Sequence, residues 1–185
     1  MSPEKKNKAI FLDRDGILNI DKAYVYKFGD IQWVDGIFDL IRFANSNGFL
    51  VIVLTNQSGV AQGMYQESDV IALHLQMNNF LLDMNLQVDD WFYCTEYESD
   101  RRKPRPGMMI EARDKHNIDL SLSFMIGDKS TDVLEIEGPK TYLLKGNYPL
   151  RAIEESKSAE IFVSLKDILE KLKLDLLSLK SKMVP

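Results

Sequence analysis

Ala9-Ile10-Phe11-Leu12-Asp13-Arg14-Asp15-Gly16 is the stretch on which the reading of this chain turns. An apolar run stops at two aspartates one position apart, and Gly16 supplies a turn. Ala9 to Leu12 has the length and composition of a buried parallel strand, although four apolar residues would also suit a helix. In an open α/β sheet the functional crevice lies at the carboxyl ends of the strands, so Asp13 and Asp15 would project into it. Taken by itself, such a motif reads more readily as an acidic loop whose carboxylates are solvated or cap a turn. A calcium loop does not fit: Ile17 and Asn19 follow, and Tyr24 stands where the twelfth-position glutamate is needed. The catalytic reading therefore needs support from the rest of the chain.

That support comes from repetition of the pattern. Phe49 to Leu54 is a second apolar run and ends at Thr55-Asn56-Gln57-Ser58-Gly59. Trp91 to Cys94 is a third, running into a loop that switches from acidic (Glu96, Glu98, Asp100) to basic (Arg101, Arg102, Lys103, Arg105). Ser123 to Ile126 is a fourth, ending at Gly127-Asp128-Lys129-Ser130-Thr131-Asp132; Thr141 to Leu144 reads as a fifth and Ile161 to Val163 as a sixth.

Helical signals alternate with these runs. Asp35 as N-cap, Ile37, Phe38, Ile41 and Ala44 at helical spacing, and the stop Asn47-Gly48 predict one helix. Glu67 to Met84 predicts another, with Val70, Ile71, Leu73, Met77, Phe80, Leu81 and Met84 mostly on one face and His74 at its edge, read as a surface residue rather than a ligand. Met108 to His116 can form a third, and a short helix after Ser130 or Thr131 is closed by Gly138-Pro139. Leu165, Ile168, Leu169, Leu172, Leu176, Leu179 and Met183 share one face of a terminal helix over 164–183. The polar and aromatic stretch Asn19 to Val34 reads as an excursion over the site. The alternation predicts an α/β fold: one Rossmann-like domain over 1–185, a three-layer sandwich with a mostly parallel central sheet, and a flexible N-terminus over 1–7.

Composition narrows the class. With 185 residues, 45% of them hydrophobic, the chain can bury one sizeable core. Against 28 acidic residues stand 23 basic ones, and the net charge of −5 argues against a general binder of nucleic acid or membrane surfaces while leaving room for a small anionic substrate. Cys94 is the single cysteine, so no cysteine-rich zinc cluster can be built and a reducing cytoplasm is expected. The start is polar without a signal-like apolar stretch, and no apolar run reaches the ~18 residues of a membrane span, so a soluble, unexported protein is expected. No oligomeric state follows from the pattern.

The strand-end loops thus carry Asp13 with Asp15, Thr55, Lys103, and Asp128 with Asp132. Carboxylates converging on one crevice repel, so either their pKa values rise or a cation neutralises them. Oxygen-only ligands point to magnesium, for which Asp13, Asp15 and Asp128 are the matching set. A lysine, a hydroxyl and a divalent ion are what phosphoryl transfer asks of a protein.

These residues resemble the haloacid dehalogenase superfamily of aspartate-nucleophile phosphatases, whose four motifs occur here in order: Asp13-Arg14-Asp15-Gly16, Thr55, Lys103-Pro104, and Gly127-Asp128 with Asp132. The resemblance implies that Asp13 attacks phosphorus, Asp15 is the acid and then the base, and Thr55 and Lys103 hold the phosphoryl group. It also implies magnesium on Asp13, on the main-chain carbonyl of Asp15 and on Asp128, with Asp132 in support. Ile17 stands where the superfamily usually has threonine.

Over most of residues 8–165 the chain looks like the D-glycero-D-manno-heptose 1,7-bisphosphate 7-phosphatases, which are similar to histidinol-phosphate phosphatases and have no large cap domain. That likeness implies substrate contacts at Asp21, Lys22, Ala23, Tyr24, Thr55, Asn56, Gln57, Ser58, Arg102 and Lys103, with Ala23 where glycine is common and Gln62 where a basic residue would be expected. It also exposes a departure. The family's zinc loop of three cysteines and a histidine is missing, with seven residues between Cys94 and Arg102, so no zinc is expected. The resulting expectation is a magnesium-dependent phosphatase of a small phosphorylated sugar, with histidinol phosphate or another small metabolite as the alternative. A nucleic-acid 3′-phosphatase and a phospho-receiver domain come behind; in receivers the acceptor follows the third strand, whereas here the aspartate pair follows the first.

Overall fold

The computed structural model describes residues 6–156 and 158–182. Six strands, β1 (Lys8–Leu12), β2 (Phe49–Asn56), β3 (Asp90–Cys94), β4 (Phe124–Gly127), β5 (Lys140–Leu144) and β6 (Glu160–Phe162), form one sheet in the order β3-β2-β1-β4-β5-β6. Every pairing is parallel. The order reverses at β1, which pairs with β2 on one side (Ile10 opposite Val51) and with β4 on the other (Ile10 opposite Phe124). A topological switch point of this kind opens a crevice at the carboxyl ends of the two strands.

Helices α1 (Ile37–Ser46), α2 (Glu67–Asp83), α3 (Gly107–His116), α4 (Arg151–Ser156) and α5 (Leu165–Lys182) complete the domain. The strand pleat sends alternate residues to opposite faces. Ile10, Leu12, Val51 and Val53 pack with Leu40 and Ile41 of α1, Leu73 and Met77 of α2, and Ile168 and Leu172 of α5. Ala9, Phe11, Ile52 and Leu54 pack on the other side with Met108, Met109 and Ala112 of α3. The result is the three-layer, single-domain α/β sandwich expected. Among the described residues the excursions after β1 and β3 hold no cap domain; they are loops, the first with a single 3-10 turn at Phe28–Asp30.

Several local expectations are corrected. The N-cap of α1 is Gly36, in the left-handed region at φ 84°, so Asp35 lies outside the helix. The short helix after Ser130 is only a 3-10 turn, Ser130–Asp132, because Asp132 turns inward to accept backbone N–H bonds. Helix α4 was not expected at all. The sixth strand starts one residue earlier, leaving Val163 exposed, and Ile71 and Met84 of the α2 region face solvent. Ile17 is fully buried in the core. His74 is not an edge residue: it is 5% exposed.

The expected mobile terminus over 1–7 falls outside the described residues for 1–5, while Asn7 is paired to the backbone of Asn117 and Asp119. Leu165, Ile168, Leu172 and Leu176 of the terminal helix are buried as its periodicity requires; the side chain of Leu179, and Met183 altogether, lie outside the described residues. Among the described residues no helix is long and apolar enough to cross a membrane.

Candidate active site

The sheet brings four sequence-distant loops together. Asp13 follows β1, and its N–H donates to the Ile126 carbonyl of β4, 2.9 Å away. Asp128 follows β4 directly. Thr55 and Asn56 close β2, and the Asn56 amide pairs with both backbone groups of Lys103, donating to its carbonyl (3.1 Å) and accepting from its N–H (3.0 Å). Such two-point pairing fixes the loop after β3 against the end of β2.

Lys103 is 3% exposed, and its Nζ lies 2.9 Å from Asp13 Oδ1 and 2.6 Å from Asp132 Oδ1. Burial alone would pull the lysine down, but the two carboxylates outweigh it and hold the ammonium above the ordinary lysine range. Asp132 is fully engaged: its other oxygen accepts from the N–H groups of Asp128 and Lys129, at 3.1 and 3.0 Å. Gly127 makes room for it, since a Cβ there would come within 2.2 Å of the Asp132 side chain.

Asp13, Asp128 and Asp132 each present an oxygen within 4.8 Å of the others. Burial, and next the charge of Asp13, push the Asp128 carboxyl up to about 8. Burial also raises Asp13 against the pull of Lys103. Asp128 Oδ1 is buried without a hydrogen-bond partner, which is an uncompensated cost for a carboxylate. A hard divalent cation removes both the repulsion and the missing contact, so the donor set fits magnesium. Gly16 is required beside it: at φ 108°, a Cβ there would sit 2.3 Å from the Asp128 carboxyl.

Asp15 is gripped by donors. Arg14 Nη2 lies 3.0 and 2.8 Å from its two oxygens, Asn19 Nδ2 is 3.0 Å from Oδ1, and Gln57 Nε2 is 3.0 Å from Oδ2. Gln57 also donates to Thr55 Oγ1 (2.8 Å) and accepts from the Tyr65 hydroxyl (2.9 Å). It is 2% exposed, so it places Asp15 and Thr55 more than it reaches a ligand.

Two pockets of about 220 Å³ each adjoin and share Asp15, Asn56, Ser58 and Lys129. One holds Asp13, Thr55, Arg102 and Lys103; the other holds Asp21, Ala23, Tyr24 and Gln57. A larger groove of about 550 Å³ between α1 and α5 carries none of these groups. Arg102 Nη1 is buried without a partner, and its guanidinium lies over the Tyr97 ring at 4.8 Å. Ala23 and Tyr24 both have positive φ, 57° and 53°, which turns the Tyr24 ring towards Gln62; the two are joined at 3.0 Å. Lys22 is the residue not brought in. Its Nζ reaches the Asp30 carbonyl, 3.3 Å away, and it lines neither pocket.

Residues that the sequence reading passed over complete the site. Lys129 spans both pockets and pairs with Asp21 Oδ2 at 2.8 Å, and Tyr148 donates to the same oxygen at 2.7 Å. Burial would raise Asp21, but these two donors take it below the usual carboxylate range. Arg14 is fully buried. Lys129 could have been found from its place beside Asp128; Tyr148 and Tyr65 leave no such signal.

The sequence profile of the polynucleotide kinase 3 phosphatase family matches residues 11–143. The D-glycero-alpha-D-manno-heptose-1,7-bisphosphate 7-phosphatase of Campylobacter jejuni is 42% identical over 129 residues, 69% of this chain and 75% of that one. The beta-heptose enzyme of Pasteurella multocida is 36% identical over 173 residues, 87% of this chain and 94% of that one. The chain belongs to the heptose bisphosphate phosphatase family of the haloacid dehalogenase superfamily. Among solved structures, the D,D-heptose 1,7-bisphosphate phosphatase from B. bronchiseptica, complexed with magnesium and phosphate, superposes with a TM-score of 0.79 at 27% identity, covering 91% of this chain and 99% of that one. A phosphatase of this superfamily is what the four strand-end loops build.

Proposed function

We propose that this phosphatase removes the 7-phosphate of D-glycero-D-manno-heptose 1,7-bisphosphate through an aspartyl-phosphate on Asp13. The observation that carries the reading is the contact of 2.9 Å between Lys103 and Asp13 at a pocket shared with Thr55, Asp15 and Arg102, in a chain whose relatives are heptose bisphosphate 7-phosphatases.

In the first step an Asp13 oxygen attacks phosphorus, the bond to the sugar oxygen breaks, and Asp15 delivers the proton that this oxygen needs. In the second, Asp15 takes a proton from water as the water attacks the acyl phosphate, releasing inorganic phosphate and restoring Asp13. Thr55 and Lys103 hold the phosphoryl oxygens throughout, with Lys103 steadied by Asp132. Asp13, Asp128 and the Asp15 carbonyl would hold magnesium, which supplies neutralisation of charge on the transferring group. Arg102, with its free nitrogen, suits a second phosphate or a hydroxyl pair on the sugar. Asp21, Ala23, Tyr24, Asn56 and Ser58 contact the remainder of the substrate, with Lys129 beside them. The reading assigns no role to zinc, because Cys94 is the single cysteine of the chain. The same reading includes a cytoplasmic location and a small-molecule substrate rather than nucleic acid, in keeping with the net charge of −5.

Phosphate release from both anomers of the heptose bisphosphate, histidinol phosphate and a 3′-phosphorylated oligonucleotide, with magnesium, tests this. Both anomers are included because the relatives' names divide between them. The bisphosphate should give the highest kcat/KM and lose one phosphate. A higher value for histidinol phosphate or the oligonucleotide would overturn the substrate.

A further inference from the structure

Arg14 lies between the two catalytic aspartates in sequence, yet its side chain is fully withdrawn from water. A buried guanidinium loses stability for each donor left unanswered, and Nε here has no partner, so the contacts of the two terminal nitrogens carry its placement. Its Nη2 serves the Asp15 carboxylate at 3.0 and 2.8 Å and the Val25 carbonyl of the loop over the site at 2.7 Å. Its Nη1 lies 3.3 Å from His74 Nε2 on α2. Only one nitrogen of the fork therefore touches Asp15, so the plane of the guanidinium is held from the far sides, by the Val25 carbonyl at Nη2 and by His74 at Nη1.

His74 is built for that task. Its ring stacks on Trp91 at 4.8 Å and meets the edge of Tyr93 at 5.8 Å, so it has little freedom to turn. Because a guanidinium only donates, Nε2 must be the accepting nitrogen and the imidazole must be neutral with its proton on Nδ1. Burial, and then the charge of Arg14, drive the ring well below its ordinary range, which keeps it an acceptor. His74 bears on no substrate pocket and is not explained by packing alone, since a phenyl ring would fill the same stack.

We propose that His74 is a positioning residue that acts through Arg14 to hold the Asp15 carboxylate, and with it the Val25 segment, in the orientation for proton transfer to the leaving oxygen. The inference rests on the acid role of Asp15 given above. Its signature is selective. Positioning of a general acid matters for a sugar phosphate, whose alkoxide leaves poorly, and little for p-nitrophenyl phosphate, whose phenolate leaves without a proton.

The experiment compares kcat/KM for the heptose bisphosphate and for p-nitrophenyl phosphate in wild type, Asp15→Asn, His74→Phe and His74→Gln. His74→Phe keeps the aromatic stack but offers no acceptor; it should lower kcat/KM for the sugar phosphate by about tenfold or more, the low end of a misaligned acid, and leave the aryl phosphate within about threefold. His74→Gln, whose amide oxygen can accept from Arg14, should recover most of the loss. An equal fall on both substrates, or no fall on either in a folded His74→Phe, overturns the inference. If His74→Phe does not fold, His74→Leu carries the same expectation. Asp15→Asn separates the two ideas. Should it show no dependence on leaving group, the acid role of Asp15 fails; should it show one while the His74 variants do not, only the role of His74 fails.

Discussion

The ammonium of Lys103 sits 2.9 Å from Asp13 Oδ1 with both side chains almost entirely withdrawn from water. In the proposed mechanism the contact does two things at once: it fixes the carboxylate proposed to attack, and it stores positive charge beside the position proposed for the phosphoryl group. In a buried site such preorganised charge need not be gathered from solvent during reaction.

Asp13→Asn removes the nucleophile's charge and almost none of its volume. Turnover of the heptose bisphosphate should fall to background, while circular dichroism and substrate binding persist. Activity near wild type would end the covalent mechanism.

Asp132→Ala leaves the Lys103 ammonium short of one buried carboxylate and two backbone N–H groups short of an acceptor. Breaking a buried pair of this kind costs about 3–5 kcal/mol, to be read from urea unfolding, and kcat should fall with it. Gly127→Ala should imitate the effect by pushing the same side chain aside. A loss under about 1 kcal/mol in Asp132→Ala, the ordinary worth of a surface pair, would show that the pairing is idle.

Lys103→Ala and Arg102→Ala should separate kinetically. The first removes transition-state charge and should depress mainly kcat; the second removes a recognition group and should raise mainly KM or shift preference among sugar phosphates. Unchanged KM and preference in Arg102→Ala would hand specificity to the stretch between Asp21 and Tyr26.

His74 gives a prediction for stability against pH. Buried beside Arg14, its pKa falls from 6.5 to about 3. Between those values the unfolded chain binds the proton that the folded one refuses. The stabilisation is thus complete above about pH 6.5 and is lost as pH falls towards 3, with a slope approaching 1.4 kcal/mol per pH unit. Unfolding free energies at pH 6.5 and 5 should differ less in His74→Phe than in wild type. An identical difference would mean that His74 is protonated in the folded protein.

Chelation should abolish turnover, and magnesium alone should restore it. Zinc retained in stoichiometric amount through chelation would contradict the reading of the shortened loop after Cys94.

How much of this was legible in the sequence depends on whether a residue's role is set by its own strand. Asp13, Thr55 and Asp128 were readable because each ends or follows an apolar run, and parallel strands all deliver their carboxyl ends to one crevice. Lys103 was readable as a group of the loop after the third strand but not its place in the crevice, since it lies several residues beyond Cys94; the structure shows Asn56 holding it. Arg14, His74 and Tyr148 were not readable as parts of the site. The contacts that place them join residues far apart in sequence, Arg14 with His74 and Tyr148 with Asp21, and no local periodicity records such contacts. Asp35 failed as a cap for a different reason: Gly36 can take the left-handed conformation there, and the chain used it.

The adjacency of β1 and β4 has a consequence for how the protein comes into being. The strand that leads to Asp13 is made before its neighbour, which leads to Asp128 and follows only after β2, α2, β3 and α3. A nascent chain that has folded its first three strands owns Asp13, Asp15 and Thr55 but lacks Asp128 and has nothing for the Asp13 N–H to bind. Closing so long a loop is also the slow kind of contact in folding. Hydrolytic competence therefore waits until β4 slots in beside β1, and a product of synthesis interrupted before Asp128 lacks the second half of the site.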